Sequence, residues 1–183
     1  KIDLGLANGI LDIIKKDSPS PSLYDFGAGK GLYTCYLKFT NEAIVASAFD
    51  GAPNAEELTS GNVHSIDLTT DIYMKPVDWV ISLEVGEHIP QRFQDIYVDN
   101  IARHAKRGII ISWDQPDNGG ETGTCGGHGH VNCRSEAYII AKFYSKGFAV
   151  SVDLSARLRS FVNKYHWYSD NMLMFRRIDF STE

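Results

Sequence analysis

The chain has 183 residues, 43% hydrophobic and 22% charged, with a formal net charge of −5. That length suits one domain with a sizeable core, here taken as residues 1–183, and the composition is that of an ordinary globular protein. An excess of acid with no Lys/Arg block argues against an extended nucleic-acid footprint, and no apolar run approaches the roughly 20 residues that span a bilayer. Three cysteines, an odd number, do not make a disulfide framework, so a reducing, cytoplasmic setting is expected. No signal peptide is visible, but a start at Lys1 leaves a removed leader or a further domain open.

Residues 3–16 read as an amphipathic helix: Ala7, Ile10, Leu11 and Ile14 share one face, Asp3 suits the N-cap, and Gly5 and Gly9 weaken the pattern. Ser18-Pro19-Ser20-Pro21 breaks it. Leu23 to Phe26 is a short buried strand, followed by glycines at 27, 29 and 31 and a helix-compatible stretch from Leu32 to Phe39. Ala43 to Phe49 is a second strand closed by Asp50-Gly51, Pro53 to Leu58 a short helical piece, and Val63 to Asp67 a third strand. Val77 to Leu83 is nearly all apolar, as a strand buried on both faces should be. Pro90 opens a helix whose stripe is Phe93, Ile96, Tyr97 and Ile101, and Gly108 closes it. Gly108 to Trp113 is a fifth strand. Residues 114–133 form a long loop with glycines at 119, 120, 123, 126, 127 and 129, and loops of that length inside a compact domain are usually functional or disordered. A helix from Glu136 to Lys146 stops at Gly147. Phe148 to Leu154 and Asn171 to Ile178 are the last strands, joined by a partly helical link. Strands alternating with helices through residue 147 argue an α/β fold: a doubly wound, mostly parallel sheet with helices on both faces. The final pair lacks a clear long crossover, which suits antiparallel pairing.

The organising stretch is Asp25-Phe26-Gly27-Ala28-Gly29-Lys30-Gly31 between the first strand and its helix. Glycines accept positive φ and let a ligand lie against the backbone, and the helix behind them presents unpaired N–H groups. This D-x-G-x-G-x-G run resembles motif I of class I S-adenosylmethionine-dependent methyltransferases. The resemblance implies a seven-stranded Rossmann-like sheet with its last strand antiparallel, and S-adenosylmethionine as cofactor. It also implies that Asp25, Gly27, Ala28, Gly29 and Gly31 cradle the methionine end. Asp50, with Gly51 beside it, lies about 20 residues past the loop, where a ribose-binding carboxylate is expected; its plainer role is a turn or N-cap residue. By the resemblance, Asp67 receives the adenine amino group with Leu68 beside the ring, and Asp71 competes for that role.

Ser82-Leu83-Glu84-Val85-Gly86-Glu87-His88-Ile89-Pro90 looks like motif IV of small-molecule methyltransferases, so the resemblance covers residues 22–113. It would set Ser82, Leu83 and Glu84 beside the methionine and turn Glu87 and His88 toward an acceptor. A solvated helix start is the plainer reading of those two. A nicotinamide Rossmann protein is the chief competitor, but its G-x-G-x-x-G/A fingerprint wants a small residue where Leu32 stands.

Cys125, His128, His130 and Cys133 fall within nine residues of the long loop. They could bind zinc, yet the spacing matches no standard finger and a four-ligand cage from so short a segment would be strained, so no metal is expected. A Cys125–Cys133 disulfide would need an oxidising setting. The third reading is an acceptor-site loop on the crevice edge, free to close as a lid on its glycines. Methyl transfer needs an acceptor aligned for in-line attack, and a hydroxyl or imidazole acceptor also needs a base. His130, His128 and His88 are the candidates, with Glu87 as a partner. Trp113, Trp167 and Tyr168 are candidate walls of an acceptor pocket, though aromatics so placed are more often core. No Asn-Pro-Pro-Tyr follows the fourth strand, which disfavours amino methylation of nucleic-acid bases. The expected function is methyl transfer from S-adenosylmethionine to a small molecule or a peptide side chain, with no membrane partner. A cofactor-binding domain without catalysis and a nicotinamide oxidoreductase are the alternatives.

Overall fold

The computed structural model describes residues 1–178. Its elements are α1 (Leu4–Asp17), β1 (Ser22–Phe26), α2 (Leu32–Thr40), β2 (Val45–Asp50), α3 (Ala55–Leu58), β3 (Val63–Ser65) and β4 (Val77–Leu83). Two short 3-10 turns, Gly86–His88 and Gln91–Phe93, lead into α4 (Gln94–His104) and β5 (Ala105–Ser112). Then come β6 (Thr122–Gly123), β7 (Cys133–Arg134), α5 (Glu136–Tyr144), β8 (Phe148–Val150), α6 (Val152–Phe161), α7 (Trp167–Asn171) and β9 (Met172–Arg177). Seven strands form one sheet in the order β3-β2-β1-β4-β5-β9-β8, while β6 and β7 make a separate small ladder. The first five strands pair parallel, and β9 runs antiparallel to both β5 and β8. This is the doubly wound sheet expected from the sequence, with the last strand reversed. Among the described residues no helix is long and apolar enough to cross a membrane.

Successive side chains of a strand point to opposite faces, so each central strand feeds two cores. Val80, Ile109, Ile111, Leu173 and Phe175 pack with Tyr97 and Ile101 of α4 and Phe143 of α5. Trp79, Ile81, Ile110, Met172 and Met174 pack with Leu6, Ile10 and Ile14 of α1, Leu37 of α2 and Leu158 of α6. Burial on both faces is why β4 and β5 read as continuous apolar runs. Asp3 caps α1 by accepting from Leu6 N, and it also accepts from the N–H groups of Asn163, Lys164 and Tyr165. Gly5 and Gly9, poor helix formers, sit where α1 meets the end of α6. A Cβ on Gly5 would stand 2.0 Å from the Phe161 carbonyl oxygen, and one on Gly9 2.8 Å from the Phe161 ring.

Several boundaries shift from the sequence expectation by a few residues, as where β3 ends at Ser65 rather than Asp67, and two of the shifts have a plain physical cause. Gly108 does not close α4: the helix ends at His104 and β5 starts at once, with Gly108 inside it. Gly108 pairs with Trp79 across the β4–β5 ladder, and a Cβ there would stand 2.2 Å from the Trp79 ring. Its glycine makes room for a neighbouring side chain. The strand expected over 148–154 stops at Val150, and Val152 begins α6. Alternating Val150, Val152 and Leu154 mimic a strand, but burying Leu158 against the sheet imposes helical spacing instead.

Candidate functional site

The chain departs from the sheet in opposite directions at β1 and β4, so the crevice beyond their carboxyl ends is where this architecture receives ligands. The glycine loop occupies that crevice. It hangs from β2 through the Gly27 and Ala28 N–H groups, which donate to Phe49 O at 2.8 and 2.9 Å. Gly27, Gly29 and Gly31 have φ of +78°, +57° and +68°. Their environments differ. A Cβ on Gly27 would lie 2.3 Å from Val85 and one on Gly31 2.8 Å from Val63, whereas nothing lies within 4 Å of one on Gly29. Protein therefore crowds the first and third glycines, and the middle one faces open space.

Two clefts meet at Gly27. One, of about 300 Å³, is lined by Asp25, Ala28, Gly29, Leu83, Tyr33 and Tyr168. Asp25 is buried and accepts from Thr34 Oγ1 at 2.9 Å. Burial, with the Asp50 charge nearby, pushes its carboxyl up to about 7. The second cleft, of about 350 Å³, is lined by Asp50, Gly51, Asp67, Leu68, Glu84 and His88, among others. Asp50 Oδ2 accepts from Gly29 N at 2.6 Å and Oδ1 from Ala52 N at 2.8 Å, so the turn role and the cleft position coincide in one residue. Asp67 accepts from Thr69 N and Oγ1, which hold its carboxyl below the usual range. Asp71, the competitor, is engaged elsewhere, 3.1 Å from Arg103.

The exit of β4 carries two more acids. Glu84 has a left-handed backbone, φ +57°, a sparsely populated conformation that clusters at functional sites. Its N–H donates to Ser112 Oγ at 2.8 Å and its carboxylate accepts from Asn171 Nδ2 at 3.0 Å. Glu87 is fully buried, and neither carboxylate oxygen makes a well-formed hydrogen bond within the described residues, although the backbone N–H groups of Glu87 and Asp114 lie near enough to favour its ionised form. Burial, then the neighbouring Glu84 charge, pushes it up to about 8. The turn lies close to β5 because Gly86 has no side chain: a Cβ there would stand 2.1 Å from the Trp113 ring.

The long loop is fastened to this turn. Val131 N and Asn132 N donate to Glu87 O at 2.7 and 3.0 Å, and Trp113 Nε1 donates to Asn132 O at 2.6 Å. Cys125 and Cys133 are joined as a disulfide, the pairing that an oxidising setting would allow, and in that form they offer no thiolates to a metal. His130 sits at the turn, its ring 4.8 Å from that of His88, with Nδ1 3.1 Å from Asp114 Oδ2. His128 is not brought to them: it is exposed. Three of the four expected acceptor-side residues thus converge. Trp113 is core, Tyr168 lines the first cleft, and Trp167 stacks on Tyr165. Sequence reasoning missed Asp114, Asn171 and Tyr33. An acid one residue past the fifth strand was a signal for Asp114; nothing local marks the other two.

No protein-family model and no curated protein sequence matches the chain. Solved structures do. Magnesium protoporphyrin IX methyltransferase from Synechocystis, with bound S-adenosylhomocysteine, aligns at a TM-score of 0.62 and 19% identity over 95% of this chain and 84% of that one. An amino pentose methyltransferase from Micromonospora echinaspora, with bound S-adenosylmethionine, aligns at 0.69 and 13% over 97% and 92%. A 1,6-didemethyltoxoflavin N1-methyltransferase from Burkholderia thailandensis aligns at 0.63 and 13% over 97% and 80%. Strand order, the reversed β9 and these alignments together give the chain the fold of the class I S-adenosylmethionine-dependent methyltransferases.

Proposed function

We propose that the chain binds S-adenosylmethionine across the two clefts and transfers its methyl group to a small-molecule acceptor. One observation carries this reading: an open glycine, Gly29, flanked by a buried carboxylate, Asp25, and with its own N–H already taken by Asp50. A nicotinamide dinucleotide brings a pyrophosphate, which wants free N–H donors and no carboxylates. Here Asp25 lines the first cleft, with Lys1 and Lys30 at hand for a carboxylate, and three acids line the second, which suits a ligand carrying an ammonium, a carboxylate and a sulfonium. Asp25 and Gly29 would hold the methionine end, with Gly27, Ala28 and Leu83 as walls. Asp50 keeps lone pairs for ribose hydroxyls, and Asp67 and Leu68 would receive the adenine. The solved relatives bear the names of small-molecule methyltransferases, which favours such an acceptor over a peptide.

The cofactor supplies a methyl group already activated on sulfur. What remains for the protein is to align the acceptor and handle its proton. Glu87, His88 and His130 stand beyond Glu84 and Val85 and form the acceptor side. His130→Ala is expected to lower turnover by about 10²-fold or more with little change in cofactor affinity, while His128→Ala changes neither. Equal losses in both variants would return the role to the loop as a whole. Binding is tested first, by titration calorimetry with S-adenosylmethionine, S-adenosylhomocysteine and NAD. Tight binding of NAD alone would overturn the proposal, and cofactor binding without turnover on a metabolite and peptide panel would leave a binding domain. A single domain and a cytoplasmic setting belong to the same proposal; in a reducing cytosol the Cys125–Cys133 pair would be open.

Asp50→Ala is expected to weaken S-adenosylmethionine by about 1.5–3 kcal/mol, the scale of a hydrogen bond to a charged group. The unliganded variant should also melt roughly 2–4 °C lower, because the same carboxylate accepts from Gly29 and Ala52. Calorimetry and thermal melting on one preparation separate the two effects.

A further inference from the structure

Three side chains converge at the rim of the second cofactor cleft, which His88 lines. Ligating atoms of Glu87, His88 and His130 all lie within 4.8 Å of one another. Glu87 is fully buried and neither carboxylate oxygen has a hydrogen-bond partner among the described residues. A buried carboxylate in that state is strongly unfavourable, so Glu87 either holds a proton or meets a positive charge. Both histidines already use Nδ1. His88 Nδ1 lies 3.1 Å from Gly129 O, and His130 Nδ1 lies 3.1 Å from Asp114 Oδ2 and 3.3 Å from Cys125 Sγ. A ring N–H given to a carbonyl or carboxylate sets the tautomer and leaves Nε2 as the free lone pair, the arrangement around metal-bound histidines.

We infer that Glu87, His88 and His130 bind one divalent transition-metal ion, of the zinc type, with a coordination position left for the acceptor. Two imidazoles and a carboxylate are the three-ligand set of catalytic zinc sites, which keep an open position; magnesium and calcium prefer oxygen alone. The donors come from two segments, the β4 exit and the long loop, which is why spacing within the loop did not reveal the site. A second grouping, Cys125, His130 and Cys133, shares His130; its thiols are consumed while the disulfide is closed, and the double cysteine variant tests it as the competing site. His88 also lines the second cofactor cleft, so an ion here would border the crevice. There it would hold an acceptor oxygen or nitrogen and make a coordinated hydroxyl more acidic. That use rests on the methyl-transfer reading; the binding of an ion does not.

The test is zinc binding by the full chain, chelator-treated and kept free of reductant, measured by calorimetry and by elemental analysis after dialysis. One equivalent per chain is expected. Glu87→Gln and His88→Ala should each lower affinity by about 10²-fold, and Asp114→Asn by roughly 10–100-fold, the usual effect of losing an outer-shell partner. His88 is exposed, so its variant keeps the result readable if Glu87→Gln fails to fold. His128→Ala and the Cys125→Ser/Cys133→Ser double variant should retain the ion. Absence of stoichiometric zinc, or zinc that survives His88→Ala and is lost with the cysteines, would overturn the assignment. S-adenosylmethionine titrations on the same samples keep the two readings apart, since either ligand can bind without the other.

Discussion

Gly29→Val is expected to weaken S-adenosylmethionine binding by about 100-fold or more, roughly 3 kcal/mol, while the chain stays folded. The added Cβ meets nothing within 4 Å among the described residues, so the branched side chain extends into the space assigned to the methionine portion. Its φ of +57° adds strain of about 1–2 kcal/mol, which should lower the melting temperature by several degrees without unfolding the chain. Gly27→Ala and Gly31→Ala should show the reverse balance. Their Cβ atoms would stand 2.3 and 2.8 Å from Val85 and Val63, so stability falls first and affinity follows. Calorimetry and melting curves on the three variants check the contrast. Wild-type affinity in Gly29→Val would remove the loop from the cofactor site.

Asp25→Asn should lower cofactor affinity by about 10²-fold or more at pH 8, the scale of breaking a buried pair by removing one partner. It should also flatten the pH dependence. Burial, with Asp50 beside it, sets the Asp25 carboxyl at about 7, and Lys1 and Lys30 are the cations lining its cleft. The ligand's ammonium favours the ionised acid, so wild-type affinity should fall as pH drops below 7, approaching tenfold per unit. Stability of the unliganded protein runs the other way. The unfolded carboxyl titrates near about 3.9, so between there and 7 the folded chain holds a proton the unfolded chain has released. That stabilisation is complete below the lower value and is lost as pH rises through about 7. Asparagine keeps the shape and never ionises, so the variant should melt like wild type near pH 4 and higher than wild type at pH 8. Parallel pH profiles of affinity and melting would show whether Asp25 carries both effects.

The cofactor half of the site was legible because it is built from local pattern. Strand, glycine turn and helix follow one another in the chain, Asp50 ends β2 and Asp67 lies two residues past β3, at readable spacing. Their neighbours were less legible. Asn171, which donates to Glu84, and Tyr33, which walls the first cleft, come from α7 and α2, and no period or motif ties them to the crevice. The acceptor side was read as a list of four candidates. The fold selected among them, since the same glycine-rich loop turns His130 toward His88 and leaves His128 exposed.

What the sequence determined by itself was the alternation of strands and helices, the turn at Gly27–Gly31 and the acids that flank it, because these follow from hydrophobic period and backbone preference within a few residues. The tertiary structure decided which glycines serve the fold and which the ligand. Gly5, Gly9, Gly86 and Gly108 are bare because another element lies against them, while Gly29 is bare toward empty space. It also decided that Glu87 is buried without a hydrogen-bond partner among the described residues and that His130 is held beside it by Asp114. Those properties arise from contacts between residues tens of positions apart, and burial and charge at such contacts are set only when the sheet brings the segments together.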